Sequence, residues 1–154
     1  MARLNIISVG KFKNSPLKVV FDDYKKQLKS SLDLIELDVK TSLSEDKEVR
    51  KIKEGEAILE KISKDTFIVI LDERGKEFKS IHFASEIEKI LNNNSSITFV
   101  IGGADGLCDK IKDMANLKIS FGIMTWPHMM VRVMLIEQIF RAFSILNNHP
   151  YHRE

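Results

Sequence analysis

Two glycine-bearing turns and a polar carboxyl-terminal segment hold most of the side chains in this 154-residue sequence that are equipped for chemistry. The first turn, Gly102-Gly103-Ala104-Asp105-Gly106, follows the apolar run 97–101. Adjacent glycines let a ligand approach the main chain closely and permit positive φ, although a plain strand-to-helix turn uses them equally well. Their spacing is not G-x-G-x-x-G and the run is not the first strand, which disfavours a Rossmann dehydrogenase. Asp105 has two readings, a ligand contact or a cap for backbone N–H groups of the turn. The second turn, Phe121-Gly122-Ile123-Met124-Thr125-Trp126-Pro127-His128, offers few side-chain donors and much apolar surface. Such a loop suits a flat aromatic ligand such as adenine, its edge read by backbone N–H and C=O. His128 falls at a helix entrance, where the positive end of the dipole disfavours protonation; a structural first-turn residue is the alternative.

The helix over 129–146 is apolar in every direction, with charge confined to Arg132 and to the i,i+4 pair Glu137/Arg141. A helix of that kind must be buried on all sides, which favours a homodimer over burial within one small chain. Arg132 and Arg141 are then partly buried cations, costly unless paired or used on a phosphate or carboxylate. The closing Asn147-Asn148-His149-Pro150-Tyr151-His152-Arg153-Glu154 is either a frayed terminus or a set of RNA-contacting groups. An aromatic can stack on a base, an imidazole can move a proton, and a guanidinium can hold phosphate.

The elements that must position these groups alternate along the chain. Strands are predicted over 4–9, around Ile35, Leu37 and Val39, and over 67–71, 97–101 and 117–121. Pro16 opens a helix with Leu17, Val20, Phe21, Tyr24 and Leu28 inward, and Ser44 caps one with Val49, Ile52, Leu59 and Ile62 on its apolar side. Glu73-Arg74-Gly75-Lys76 turns the chain, Ser80 caps a helix through Leu91, and residues 107–115 form a short helix. The expectation is a single α/β domain over 1–154, a mostly parallel sheet with helices on both faces. Hydrophobic residues at 44% and charged ones at 30% are those of a soluble globular protein. Net charge is only +2, too little for a whole-molecule grip on nucleic acid, with the basic excess at Lys11, Lys13, Lys18, Lys25, Lys26 and Lys29. Cys108 is the only cysteine, so neither a disulfide framework nor a zinc site is expected. No segment has the signature of a signal peptide or a membrane span, and the expected location is the cytoplasm.

Several segments taken together resemble a known family. They are Val9-Gly10-Lys11, Lys53-Glu54-Gly55-Glu56, Leu71-Asp72 with Gly75-Lys76, Phe99-Val100-Ile101-Gly102-Gly103 with Gly106-Leu107, Met124-Thr125-Trp126-Pro127-His128, Val131-Arg132 with Glu137-Gln138 and Arg141-Ala142, and Pro150-Tyr151-His152-Arg153-Glu154. In order and spacing the whole chain is similar to the RlmH family, small SPOUT-class methyltransferases that modify N3 of a pseudouridine in bacterial large-subunit ribosomal RNA. The resemblance implies a SPOUT-like fold with a C-terminal trefoil knot forming an S-adenosylmethionine pocket. It also implies a homodimer in which one subunit's tail completes the other's active site, acting on the assembled ribosome. The cofactor positions it implies are Leu71, Gly102, and Phe121, Gly122, Ile123, Met124, Thr125 and Trp126; Gly103 is added as a near neighbour. No metal, membrane or DNA is implied.

Methylating an imide nitrogen needs its N–H deprotonated or nearly so, with donor and acceptor held in line. His152 and His128 are the candidate bases, His152 first because the tail should reach the target. Tyr151 could stack on or hydrogen-bond a flipped pseudouridine. Arg132, Arg141 and Arg153 are candidates for phosphate contact or for stabilising the imide anion. Two alternatives remain open: a SPOUT methyltransferase acting on another RNA such as transfer RNA, and a ribosome-associated RNA-binding dimer without catalysis.

Overall fold

A computed structural model describes residues 2–42 and 44–153. Along the chain it runs β1 (Arg3–Val9), α1 (Pro16–Gln27), β2 (Ser31–Leu37), α2 (Lys47–Lys61), β3 (Phe67–Lys76), α3 (Ser80–Asn93), β4 (Ser96–Ile101), α4 (Asp109–Met114), β5 (Leu117–Ile119) and α5 (His128–Leu146). The five strands form one sheet in the order β2-β1-β4-β3-β5, and every pairing is parallel. Strand residues alternate between two apolar layers, as a sheet covered on both faces requires. Leu4, Ile6, Val69, Ile97, Phe99 and Ile101 point into the layer that holds α1, α3 and α5. Ile7, Val9, Ile68, Ile70 and Val100 point into the layer of α2 and α4.

The chain leaves β3 toward α3 on one face and leaves β4 toward α4 on the other. Between the carboxyl ends of these adjacent strands the connections diverge, which opens a crevice of the kind where α/β proteins bind ligands.

Four local expectations change. The segment Glu73-Arg74-Gly75-Lys76 does not end β3: the strand continues to Lys76, with Leu71 and Lys76 both paired to Ile119 and the residues between them bulged. Gly75 makes this possible, because a Cβ there would stand 2.7 Å from backbone atoms of Lys118 and Ile119. Asp46, not Ser44, caps α2, its carboxylate accepting from Glu48 N–H at 2.8 Å while Ser44 Oγ bonds Ser42 Oγ at 2.7 Å. Ser80 lies inside α3, and its hydroxyl donates to Gln138 Oε1 at 2.8 Å instead of capping. Val20, Val49 and Ile52, expected inward, are exposed, because Phe21 and Ile58 carry the buried faces of their helices.

Helix α5 lies against α1 and α3 over the sheet. Leu135, Ile136, Ile139 and Ala142 are buried, whereas Met129, Val133, Met134 and Phe140 are only partly covered and Met130 is exposed. The all-round apolar pattern is thus satisfied on one side only within this chain. Among the described residues no helix is long and apolar enough to cross a membrane.

Candidate active site

A cavity of about 390 Å³ occupies the crevice at the carboxyl ends of β3, β4 and β5. Its walls come from three segments. Leu71, Asp72 and Glu73 belong to the bulged end of β3; Gly102 to Leu107 form the turn after β4; Phe121, Gly122, Met124, Thr125 and Trp126 form the loop into α5. Of the nine positions singled out for a cofactor, all but Ile123 line this one cavity; the Ile123 side chain is 85% exposed. His128 and Val131, on the first turn of α5, also line it.

The glycine turn is held by its own backbone and by α2. Gly103 and Gly106 form a bridge, with Gly106 N–H donating to Gly103 C=O at 3.1 Å, and Gly106 has φ +86°. A Cβ on Gly102 would press to 3.0 Å on Gly106 and Leu107, so this wall must be bare main chain. Asp105 does not cap backbone N–H groups. Arg50 Nε donates to its Oδ2 at 2.8 Å and Arg50 NH2 to its Oδ1 at 3.3 Å, a two-point clamp from α2 onto the turn. That hydrogen-bonded guanidinium holds the Asp105 carboxyl below its ordinary range. Behind the turn, Glu54 is buried with Oε1 unpartnered, and burial, reinforced by Asp105, pushes its carboxyl up.

Where β1 ends, Arg132 is wholly buried. Its NH2 donates to the carbonyls of Val9 and Gly10 at 2.8 Å each, and its NH1 to Glu36 Oε2 at 3.2 Å. Its guanidinium also stacks 4.8 Å from the Phe12 ring. A side chain so enclosed has no face for an RNA phosphate. Arg132 therefore ties the start of α5 to the carboxyl ends of β1 and β2, which corrects the phosphate-contact expectation.

The remaining candidates gather at the other end of α5. After Leu146, Asn148 adopts φ +57° and the chain reverses, with His149 N–H donating to Ser144 C=O at 2.8 Å. Tyr151 packs edge-on to Phe140 with centroids 4.7 Å apart, and its hydroxyl donates to Glu137 Oε1 at 2.9 Å and sits 3.2 Å from the Tyr24 hydroxyl. Burial and these two hydrogen bonds push the phenol pKa well up. Arg141 bonds the same Glu137 oxygen through Nε at 3.0 Å and NH2 at 2.7 Å, reaches His152 Nδ1 through NH1 at 3.0 Å, and lies 4.8 Å from the Tyr151 ring. Tyr151, His152 and Arg141 are thus docked on their own helix, while Arg153 is exposed.

The structure therefore brings the cofactor candidates together with His128 and separates them from Arg141, Tyr151, His152 and Arg153. Arg141, which holds His152, lies 13 residues beyond His128 on α5, about 20 Å by helix rise. Lys47, Asp72, Glu73 and Lys112 also line the cavity and were not anticipated. Asp72 and Glu73 were findable, since they follow directly on the apolar run of β3, at the strand end where ligands bind. Glu137, the hub of the tail cluster, was seen only as the partner of Arg141.

A parallel sheet covered by helices on both faces, with a crevice at the carboxyl ends of its strands, defines an α/β protein, and comparison narrows the class. The family model described as Predicted SPOUT methyltransferase matches residues 2–152, and the chain belongs to that family. Curated relatives named Ribosomal RNA large subunit methyltransferase H include one from Acholeplasma laidlawii, 41% identical over 98% of this chain and 99% of the relative. Another, from Clostridium botulinum strain Langeland, is 46% identical over 97% and 99%. Among solved structures, a probable methylase family protein from Haemophilus influenzae Rd KW20 superposes with TM-score 0.55 at 16% identity, covering 98% of this chain and 70% of that one. The tRNA (m1G37) methyltransferase from Aquifex aeolicus gives 0.53 at 14% identity, covering 90% and 69%. At those identities the two structures speak for the fold.

Proposed function

We propose that this protein methylates N3 of a pseudouridine in large-subunit (23S) ribosomal RNA, using S-adenosylmethionine, as a cytoplasmic homodimer acting on the assembled ribosome. The observation that carries the reading is near-full-length identity of 41% and 46% to relatives named as large-subunit rRNA methyltransferases. The cavity fits the donor chemically. At Gly102 and Gly103 a Cβ would be crowded to 3.0 Å, Phe121, Met124 and Trp126 add apolar surface, and the volume is of the order a nucleoside needs.

In this reading Leu71, Gly102, Gly103 and residues 121–126 hold the cofactor, mainly by main chain, within a C-terminal segment threaded as a trefoil knot. Bound there, S-adenosylmethionine supplies an electrophilic methyl group on a sulfonium. The protein's part is to orient the base, exclude water and remove the imide proton. His152 is the proposed base: Arg141 NH1, which can only donate, lies 3.0 Å from its Nδ1, so Nδ1 is the unprotonated nitrogen and takes the imide proton once the guanidinium turns to the substrate. Tyr151 stays a neutral phenol, suited to stacking or hydrogen bonding, and Arg153 is free to meet phosphate. Because His152 docks on Arg141, about 20 Å along α5 from its own cavity, the base must serve the partner's. Two α5 helices packed antiparallel about a twofold axis, through the side left partly bare by Met130, Val133 and Met134, would put each tail at the other's cavity.

The test is tritiated methyl transfer from S-adenosylmethionine to ribosomes from cells lacking the enzyme, with the labelled nucleoside identified. N3-methylpseudouridine in the large subunit is the expected product. No label, with cofactor binding demonstrated, would overturn the substrate and redirect the search to other RNAs.

A further inference from the structure

We infer that Tyr24 of α1 is a positioning residue for the carboxyl-terminal tail. Its hydroxyl donates to that of Tyr151 and completes a chain, Tyr24 to Tyr151 to Glu137, that pins the tail across two helices before RNA arrives. Tyr151 then offers a substrate its ring and not its hydroxyl hydrogen. The positioning role rests on the shared active site proposed for the dimer; the hydrogen-bond chain does not.

The direction of each bond follows from the hydrogens available. The Tyr151 hydroxyl has one, and it goes to Glu137 Oε1 at 2.9 Å. The same carboxylate oxygen accepts from Nε and NH2 of Arg141 at 3.0 and 2.7 Å, so Glu137 has nothing to give back. The Tyr24 hydroxyl, 3.2 Å from that of Tyr151, is therefore the donor of its pair. Burial first, then the bonds to Tyr24 and Glu137, push the Tyr151 phenol up, so the chain keeps its hydrogens at neutral pH. The rings are gathered in the same way. Phe140 meets the Tyr151 ring edge-on at 4.7 Å, the Tyr24 ring lies 5.8 Å from that of Phe140, and Arg141 stands 4.8 Å over the Tyr151 ring. Three aromatic side chains from α1, α5 and the tail thus form one cluster.

Tyr24 matters because of the element it comes from. Among the described residues, every other hydrogen bond of residues 147–153 runs to α5 or stays within the tail. His149 N–H donates to Ser144 C=O, Tyr151 N–H to His149 Nδ1 at 3.3 Å, and Arg141 and Glu137 hold His152 and Tyr151. Those bonds fasten the tail to α5 alone. Tyr24 fastens it also to α1, whose Phe21 is buried in the core over the sheet. A tail held by two helices keeps a set position relative to the body of its own subunit. That is what a group needs if it must meet a methyl donor bound elsewhere, since a misplacement of about 1 Å can cost about a hundredfold in rate.

The chain has two tyrosines, so full-length protein labelled with ¹³C at tyrosine Cζ gives two signals, and Tyr24→Phe leaves that of Tyr151. With the donor to its oxygen gone, the remaining signal should match neither wild-type one; a match would overturn the bond. Tyr24→Phe keeps the ring that packs on Phe140 and should lower kcat about tenfold, with KM for S-adenosylmethionine within about twofold of wild type. An unchanged kcat would overturn the positioning role. Mixed dimers then show which half of the site carries the defect. Unfolded and refolded in equal amounts with Gly102→Val, whose tail is intact, Tyr24→Phe should give about a quarter of wild-type activity. With His152→Ala, which lacks the tail imidazole, it should give only about a twentieth. Equal activity in the two mixtures would mean that Tyr24 supports the whole subunit, and would overturn the role. Failure of Gly102→Val and His152→Ala to complement each other would sink the shared site and the positioning role with it, while the carbon signal would still decide the bond.

Discussion

At the residue scale, two ionisable groups, the half-buried His128 and the buried Glu54, give this protein opposite responses to pH. His128 is held below its ordinary value of 6.5 by burial first and by Arg132 second, so the unfolded chain binds a proton that the folded one resists. Stability contributed by the neutral ring is present above that value and is lost as pH falls through the lower folded value. His128→Gln should therefore lose less thermal stability than wild type when pH is taken from about 7 to about 5, measured as the shift in Tm. Glu54 behaves the other way. Its carboxyl is raised above 4.5 by burial first, so its contribution is complete in acid and is lost as pH rises through the folded value. Glu54→Gln is expected to raise Tm at about pH 8 and to leave it unchanged near about pH 4. A Tm that falls at alkaline pH would mean that the carboxylate has an ionic partner.

At the element scale, the bulge in β3 shapes the strand end that supplies Leu71, Asp72 and Glu73 to the cavity wall. Gly75→Ala would force a Cβ to within 2.7 Å of the β5 backbone, where no side chain can give way. The expected loss is about 2 kcal/mol, read from denaturant unfolding, together with weaker binding in the cavity whose wall β3 and β5 share. This bulge also marks the limit of what could be read along the chain. The alternation of strands and helices was plain, because runs such as Ile97–Ile101 and Phe67–Leu71 announce buried parallel strands. The two turns that line the cavity were legible from their glycines and from the runs they follow, whereas the cofactor positions within them came from the family resemblance. Strand order and the bulge were not legible: the first rests on pairings between strands distant in sequence, the second on the β5 backbone passing close to Gly75 from more than 40 residues away. The burial of Arg132 was equally hidden, since its partners Val9, Gly10 and Glu36 come from the far end of the chain.

At the scale of the whole molecule, the long helix α5 keeps cavity and tail apart, so on the proposed reading one copy is half an enzyme. That arrangement makes complementation the sharpest test. His152→Ala removes the tail group, and Gly102→Val fills a wall where even a Cβ is crowded by Leu107 at 3.0 Å. Each variant alone should be inactive. Mixed in equal amounts after unfolding and refolding together, random pairing gives half mixed dimers with one intact site each, hence about a quarter of wild-type activity. Activity of the mixture no higher than that of the separate variants would show that tail and cavity do not meet across a dimer.

The Arg132 anchor also bears on how the molecule comes into being. Val9, Gly10 and Glu36 emerge early in synthesis, yet the guanidinium that joins them arrives 96 residues after Glu36. Until then the apolar face of the sheet beneath α5 has no cover, and the ends of β1 and β2 lack their fastening. Nascent chains that stop short of residue 128 would carry an open, sticky face and invite clumping or chaperone capture.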